Sequence, residues 1–130
     1  MEGKVSEIMT RTLWSVLESD SVEKVEELMN RHRLSSVPVV DARNAIFGVI
    51  SNADLLRLHE RHGNPKTVQA WELCTYHPVE VNPATPAIDV ARAMIKHRVH
   101  HVAVTENGTL VGYVSSLDFV QRFVLDNGRT

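Results

Sequence analysis

Two short stretches of this 130-residue chain each hold a hydroxyl and a carboxylate three residues apart: Ser51-Asn52-Ala53-Asp54 and Ser115-Ser116-Leu117-Asp118. Each follows an apolar run, Gly48-Val49-Ile50 and Gly112-Tyr113-Val114, and so reads as a strand entering a polar elbow and then a helix. A carboxylate there is a pure acceptor, able to take hydroxyl protons from a ligand. The free N–H groups of the helix start favour an anion beside the serine. The plainer alternative is local: serines cap helices, and first-turn aspartates answer the helix dipole.

Other groups invite chemistry less strongly. His97-Arg98-Val99-His100-His101 is a histidine cluster. If helical, His97 and His101 would share a face, but the pattern ends the helix near Arg98 and separates them. No cysteine pair or carboxylate cluster completes a metal site, so no metal is expected. Phosphate contact by His100 or His101 is the sharper reading. His32 and His97, each followed by arginine, fall at helix C-termini, where the dipole alone accounts for them. Cys74 has no acid–base partner and reads as a packing position, not a nucleophile. Nothing supplies an acid–base pair, which points away from an enzyme. Trp71 reads as packing, and Trp14 as either packing or a ligand wall.

The rest of the chain must position these groups, and composition bounds how. Hydrophobic residues make up 43% and charged residues 23%, ordinary for an ordered globular chain. A net charge of -2 argues against a nucleic-acid partner. No apolar run approaches a membrane span, and Met1–Lys4 lacks a secretion-signal pattern. A lone cysteine fits a reducing, cytoplasmic setting.

The chain repeats itself. Residues 5–42 align with 70–107, and 44–57 with 108–121; twelve of the 52 pairs are identical, among them Met29/Met94, His32/His97, Val39/Val104, Gly48/Gly112, Ser51/Ser115 and Asp54/Asp118. Unrelated sequences would share roughly three. Neither repeat is large enough to bury a core alone, which predicts pseudo-twofold packing of the two. Each reads as a helical lead-in, a brief strand, a long helix, a hairpin and a closing helix. Asp20 and Thr85 are the expected caps of the long helices, Asp20 forming a capping box with Glu23. The buried helix faces run through Val25, Leu28 and Met29, and through Val90, Ala93 and Met94. Asn107-Gly108 signals a hairpin turn. The expected divisions are a first motif over 1–58, a polar connector over 59–69, a second motif over 70–125 and a tail over 126–130.

A repeated β-α-β-β-α unit carrying Val37-Pro38-Val39-Val40-Asp41, a turn and Gly48-Val49-Ile50-Ser51-x-x-Asp54 resembles the CBS domain, and two in tandem resemble a Bateman module. The resemblance implies an α/β (α+β) fold of two such units, with two clefts that bind adenine nucleotides. AMP and ATP lead, with ADP, S-adenosylmethionine and NAD(H) as further candidates. Such modules regulate a partner protein and do no chemistry themselves.

Carried over by position, Asp54 and Asp118 match the family's ribose-binding acid, and Ser51 and Ser115 its phosphate-side hydroxyl. Thr12, Leu13 and Trp14, and His77, Pro78 and Val79, match the adenine-lining segments, together with Val39 and Val104. The resemblance pairs each elbow with the other repeat's leading segment: Asp118 with 9–14, Asp54 with 74–79. Where relatives place histidine or arginine against phosphate, the second repeat has His100-His101 and the first has Ser35-Ser36. The Asp118 cleft is therefore the expected phosphate site. Ala103 replaces the usual proline, and Thr105-Glu106 a common Val-Asp. Apolar residues at 119, 120, 123 and 124 exceed what one core needs, so a homodimer is expected. The rival expectation is an interaction module whose clefts are vestigial.

Overall fold

A computed structural model describes residues 1–11, 14–76 and 78–126. Thr12, Leu13 and His77 therefore lie outside the described residues. The fold is mixed α+β with two sheets. Residues cluster into two compact units whose boundaries cut across the repeats: Trp14–Pro78, and Met1–Leu13 joined with Val79–Thr130.

In the unit Trp14–Pro78, β1 (Val16–Leu17) runs parallel to β2 (Ser36–Val40), which pairs antiparallel with β3 (Ile46–Ser51), which pairs antiparallel with β4 (Thr75–Tyr76). Helix α1 (Val22–His32) lies between β1 and β2 in sequence; α2 (Asn52–Glu60) and the short α3 (Ala70–Leu73) follow β3. Strand β2, Ser-Val-Pro-Val-Val, is buried at every position. Its core joins Val37, Val39 and Ile50 to Val25 and Met29 of α1. Each such side chain, fully removed from water, contributes about 1.5–3 kcal/mol. The connector is bound into this unit: Val22 and Glu23 donate to the carbonyls of Val68 and Pro65 at 2.8 and 2.9 Å.

In the other unit, β5 (Glu80–Val81) runs parallel to β6 (His101–Glu106), which pairs antiparallel with β7 (Thr109–Ser115). Helix α4 (Ala87–His97) joins β5 to β6. Helix α5 (Ser116–Phe119) continues as a π-helical stretch over Val120–Leu125. The segment Met1–Leu13 supplies a 3-10 turn at Val5–Glu7, and its Thr10 forms an antiparallel bridge with Tyr113 on β7. Val5 and Met9 enter the core with Val90, Met94, Val102, Val104 and Val114.

The repeats share details beyond their elements. A bulge interrupts each hairpin at the same place, after Val39 and after Val104. Both long helices end in a left-handed arginine, Arg33 and Arg98, each at φ 54°. Asn107 and Gly108, at φ 54° and 81°, form the tight turn between β6 and β7.

The helix starts differ from the expectation. Ser21, not Asp20, caps α1 and accepts from the Lys24 N–H at 3.2 Å. Asp20 instead turns back, taking the Leu17 N–H at 2.8 Å and the Lys24 ammonium at 3.1 Å. Thr85 makes the equivalent backward contact, accepting from the Asn82 N–H at 3.2 Å, while Pro86 occupies the cap position of α4. Asp20 and Thr85 are equivalent, but as closers of the turn after a strand. Their side chains satisfy the preceding turn, and the chain reaches the helix one or two residues later.

Candidate functional site

Both elbows are built by the same local logic. The strand ends on an extended serine, Ser51 at φ -114° and Ser115 at φ -113°, and the next residue begins the helix. Three residues on, the aspartate folds back to take the serine N–H, at 2.8 Å for Asp54 and 2.7 Å for Asp118. This reciprocal box satisfies donors that a helix start leaves free. The segment before the hairpin holds the elbow from the side: Asn52 donates to the Ser35 carbonyl at 3.0 Å, and Ser116 to the His100 carbonyl at 2.9 Å.

From there the two elbows diverge. Asp54 is buried, with 3% of its surface exposed. One carboxylate oxygen takes both the N–H and the hydroxyl of Ser51, and the other is held in an ion pair by Arg57, one turn along α2. Asp118 is half-buried. Its Oδ2 takes the Ser115 N–H, and Ser115 Oγ accepts the Asp118 N–H at 3.2 Å. Among the described residues, Asp118 Oδ1 accepts no hydrogen bond. The position matching Arg57 is Gln121, whose amide donates to Asp126 at 2.7 Å instead.

The flanking residues sharpen the contrast. On β6, His101 stands opposite Ser115; on β2, the buried Ser36 stands opposite Ser51. The His101 ring stacks on Tyr113, with centroids 5.2 Å apart. Burial pushes the His101 pKa down, His100 pushes the same way, and the Asp118 carboxylate pulls it back up. His101, Asp118 and Ser115 thus share one electrostatic neighbourhood, with the exposed His100 beside it. A neutral, partly covered imidazole next to a carboxylate gains its proton readily once an anion arrives.

The leading segments lie against the elbow strands of the other repeat. Thr10 exchanges both main-chain hydrogen bonds with Tyr113, at 2.8 and 3.1 Å. Correspondingly, Thr75 and Tyr76 pair with Val49 and Gly48. These crossings bring residues 9–11 to the Asp118 elbow strand and residues 74–76 to that of Asp54. Trp14 belongs to the unit of the first elbow and stacks on His32 at 3.6 Å. Pro78 and Val79 are half-buried, and the Val79 carbonyl accepts from Ala103 at 3.1 Å. Val39 and Val104 are both wholly buried in their cores. Their side chains present no exposed surface.

Cys74 is also buried, packed against Gly48. Burial, reinforced by the Asp54 charge, pushes its thiol up to about 11. It remains protonated, unlike a nucleophilic cysteine. Among the described residues, no group of three His, Cys, Asp or Glu side chains could hold a metal, and no helix is long and apolar enough to cross a membrane. A cavity of about 330 Å³ beside β1 and α1, lined in part by Leu17, Asp20, Lys24 and Arg31, includes no elbow residue.

The CBS domain profile matches residues 5–61 and 70–125, the two repeats that carry these elbows. The chain belongs to the CBS domain family. Among solved structures, AcuB of Vibrio cholerae superposes with a TM-score of 0.87 at 26% identity, covering 99% of this chain and 94% of that one. CBSX2, crystallised in complex with AMP, gives 0.85 at 26% identity, covering 95% and 98%. An uncharacterized protein of Methanocaldococcus jannaschii is 28% identical over 133 residues; these span 92% of this chain but 32% of that protein. The chain thus spans about a third of that relative. Tandem CBS domains are regulatory nucleotide-binding modules.

Arg57 escaped the reading of the sequence. The signal was present: it lies three residues after Asp54, and the repeat alignment sets it against Gln121. Tyr113 was likewise passed over, although it stands one position after the elbow glycine.

Proposed function

We propose that this chain is a regulatory module that binds an adenosyl nucleotide at the Asp118 elbow and transmits its occupancy to a partner protein. AMP and ATP are the leading ligands. The single observation that carries the reading is the half-buried carboxylate of Asp118 beside Ser115 and His101, whose Oδ1 accepts no hydrogen bond among the described residues. A carboxylate with an open acceptor can take ribose hydroxyl protons. The imidazoles of His100 and His101 suit a phosphate. The AMP complex of CBSX2, at 26% identity, supports the adenine class. Regulation then requires only that the ligand bind two conformations unequally. Isothermal titration of ligand-stripped protein with AMP, ATP, NADH and S-adenosylmethionine tests this; no heat up to millimolar ligand would end it.

A second reading is an assembly module whose elbows hold nothing. It is favoured by apolar side chains on the terminal helix, where Leu117 and Val124 are 75% and 64% exposed. Such a surface suits self-association as a homodimer. The two readings separate at Asp118→Ala, which abolishes nucleotide binding in the first and changes no partner or self-association in the second.

A further inference from the structure

We propose that Arg57 is the residue that closes the first elbow, so that a nucleoside enters only the second. The inference rests on the reading of these elbows as ribose sites. A vicinal diol brings two O–H donors and needs accessible acceptors on the aspartate. At Asp54, Ser51 supplies two donors to Oδ2 and Arg57 pairs with Oδ1. With 3% of the residue exposed, no oxygen faces a ligand. A diol would have to displace a charge-assisted bond in a buried place, where such bonds are strongest. Removing the partner of a buried carboxylate also leaves that charge uncompensated.

The second elbow supplies the internal comparison. It has the same strand, serine, aspartate and helix start, and the Ser115 N–H is held as the Ser51 N–H is. At the position of Arg57 stands Gln121, which turns to Asp126 and leaves Asp118 Oδ1 without a hydrogen bond among the described residues. Arg57 is itself half-exposed, with 52% of its side chain accessible. Its removal therefore opens the carboxylate without hollowing the core. Arg57 is a specificity-determining residue that acts by occupying the acceptor a ribose would use.

The test is a reciprocal exchange, Arg57→Gln and Gln121→Arg, titrated calorimetrically with adenosine and with AMP, with thermal melts to verify folding. Wild type is expected to bind one nucleoside per chain and Arg57→Gln two, while Gln121→Arg weakens the original site at least tenfold. One site in both wild type and Arg57→Gln overturns the closure and leaves the ribose reading of Asp118 intact. No site in wild type but one in Arg57→Gln upholds the closure and overturns the Asp118 reading. Two sites in wild type, or none in either protein, overturn the closure. Should Arg57→Gln fail to fold, Arg57→Leu in the Gln121→Arg background decides: adenosine bound at the first elbow supports the closure, and none overturns it.

Discussion

The sulfur of Cys74 lies against the bare face of Gly48, 2.7 Å from where a Cβ on that glycine would stand, with the Thr75 carbonyl equally near. Met9 takes the same place against Gly112. The glycines are the points where a leading segment crosses the elbow strand. A methyl group at Gly48 must push against backbone, while at Gly112 its three nearest neighbours all belong to the flexible side chain of Met9. Gly48→Ala is therefore expected to cost about 1–3 kcal/mol and Gly112→Ala less than half of that, in the range for overpacked sites. Urea unfolding of the two variants checks the order.

Asp54 and Asp118 should respond differently to the same substitution. Asp54→Asn disturbs three donors around a buried carboxylate and is expected to destabilise by about 1–3 kcal/mol. Asp118→Asn keeps an oxygen for the Ser115 N–H and is expected to change stability by under about 0.5 kcal/mol. It should instead lower AMP affinity tenfold or more. Denaturation and calorimetry on both variants separate a structural acid from a binding one.

Cys74 should be slow to alkylate. With the thiol at about 11 against an ordinary 9.0, its thiolate fraction at pH 8 falls about a hundredfold. Iodoacetamide labelling of the native chain, compared with the urea-unfolded chain, is expected to show at least that ratio. Equal rates would mean that the Gly48 crossing opens freely.

His101 gives the fold a pH dependence of definite sign. Its folded pKa lies below the unfolded value, chiefly through burial, so the neutral imidazole is the stabilising form. That contribution is complete above the unfolded value of about 6.5 and is lost as pH falls through the folded one. Wild type should lose stability between pH 7.5 and pH 5 more steeply than His101→Asn. A bound phosphate reverses the preference by favouring the imidazolium, so AMP should gain on adenosine as the pH drops from 8 to 6. His101→Asn should abolish that gain.

Much of the fold was legible because the chain says it twice. Asn107-Gly108 and the buried Val-x-Val strands each clarified a vaguer counterpart in the other repeat, whereas the Thr85-Pro86 pair set both helix caps one residue too early. What stayed hidden has physical causes. A two-residue strand such as β4 has too little sequence to show a period and exists because β3 offers it an edge. Aspartate and serine at positions 20 and 21 can each close a turn or cap a helix, and only the backbone path decides. The elbows were visible as spacing; their inequality was half visible. The histidines of the second elbow stood out as unusual residues. Arg57 did not, because an arginine one turn after an aspartate is ordinary on any helix surface.

The crossing of the leading segments also sets an order of assembly. Residues 14–78 form their unit from one continuous stretch, so synthesis delivers all of its parts before residue 79 is added. Met1–Leu13 emerges before that unit yet packs with Val79–Thr130, which emerges after it. During translation the N-terminal strip, with Val5 and Met9 unburied, must wait for its sheet. Closing so long a loop is the slow kind of step in folding, paid for in entropy before any contact repays it. A released fragment ending near residue 85 should protect Trp14–Pro78 from proteolysis while leaving the segment before it open to cleavage.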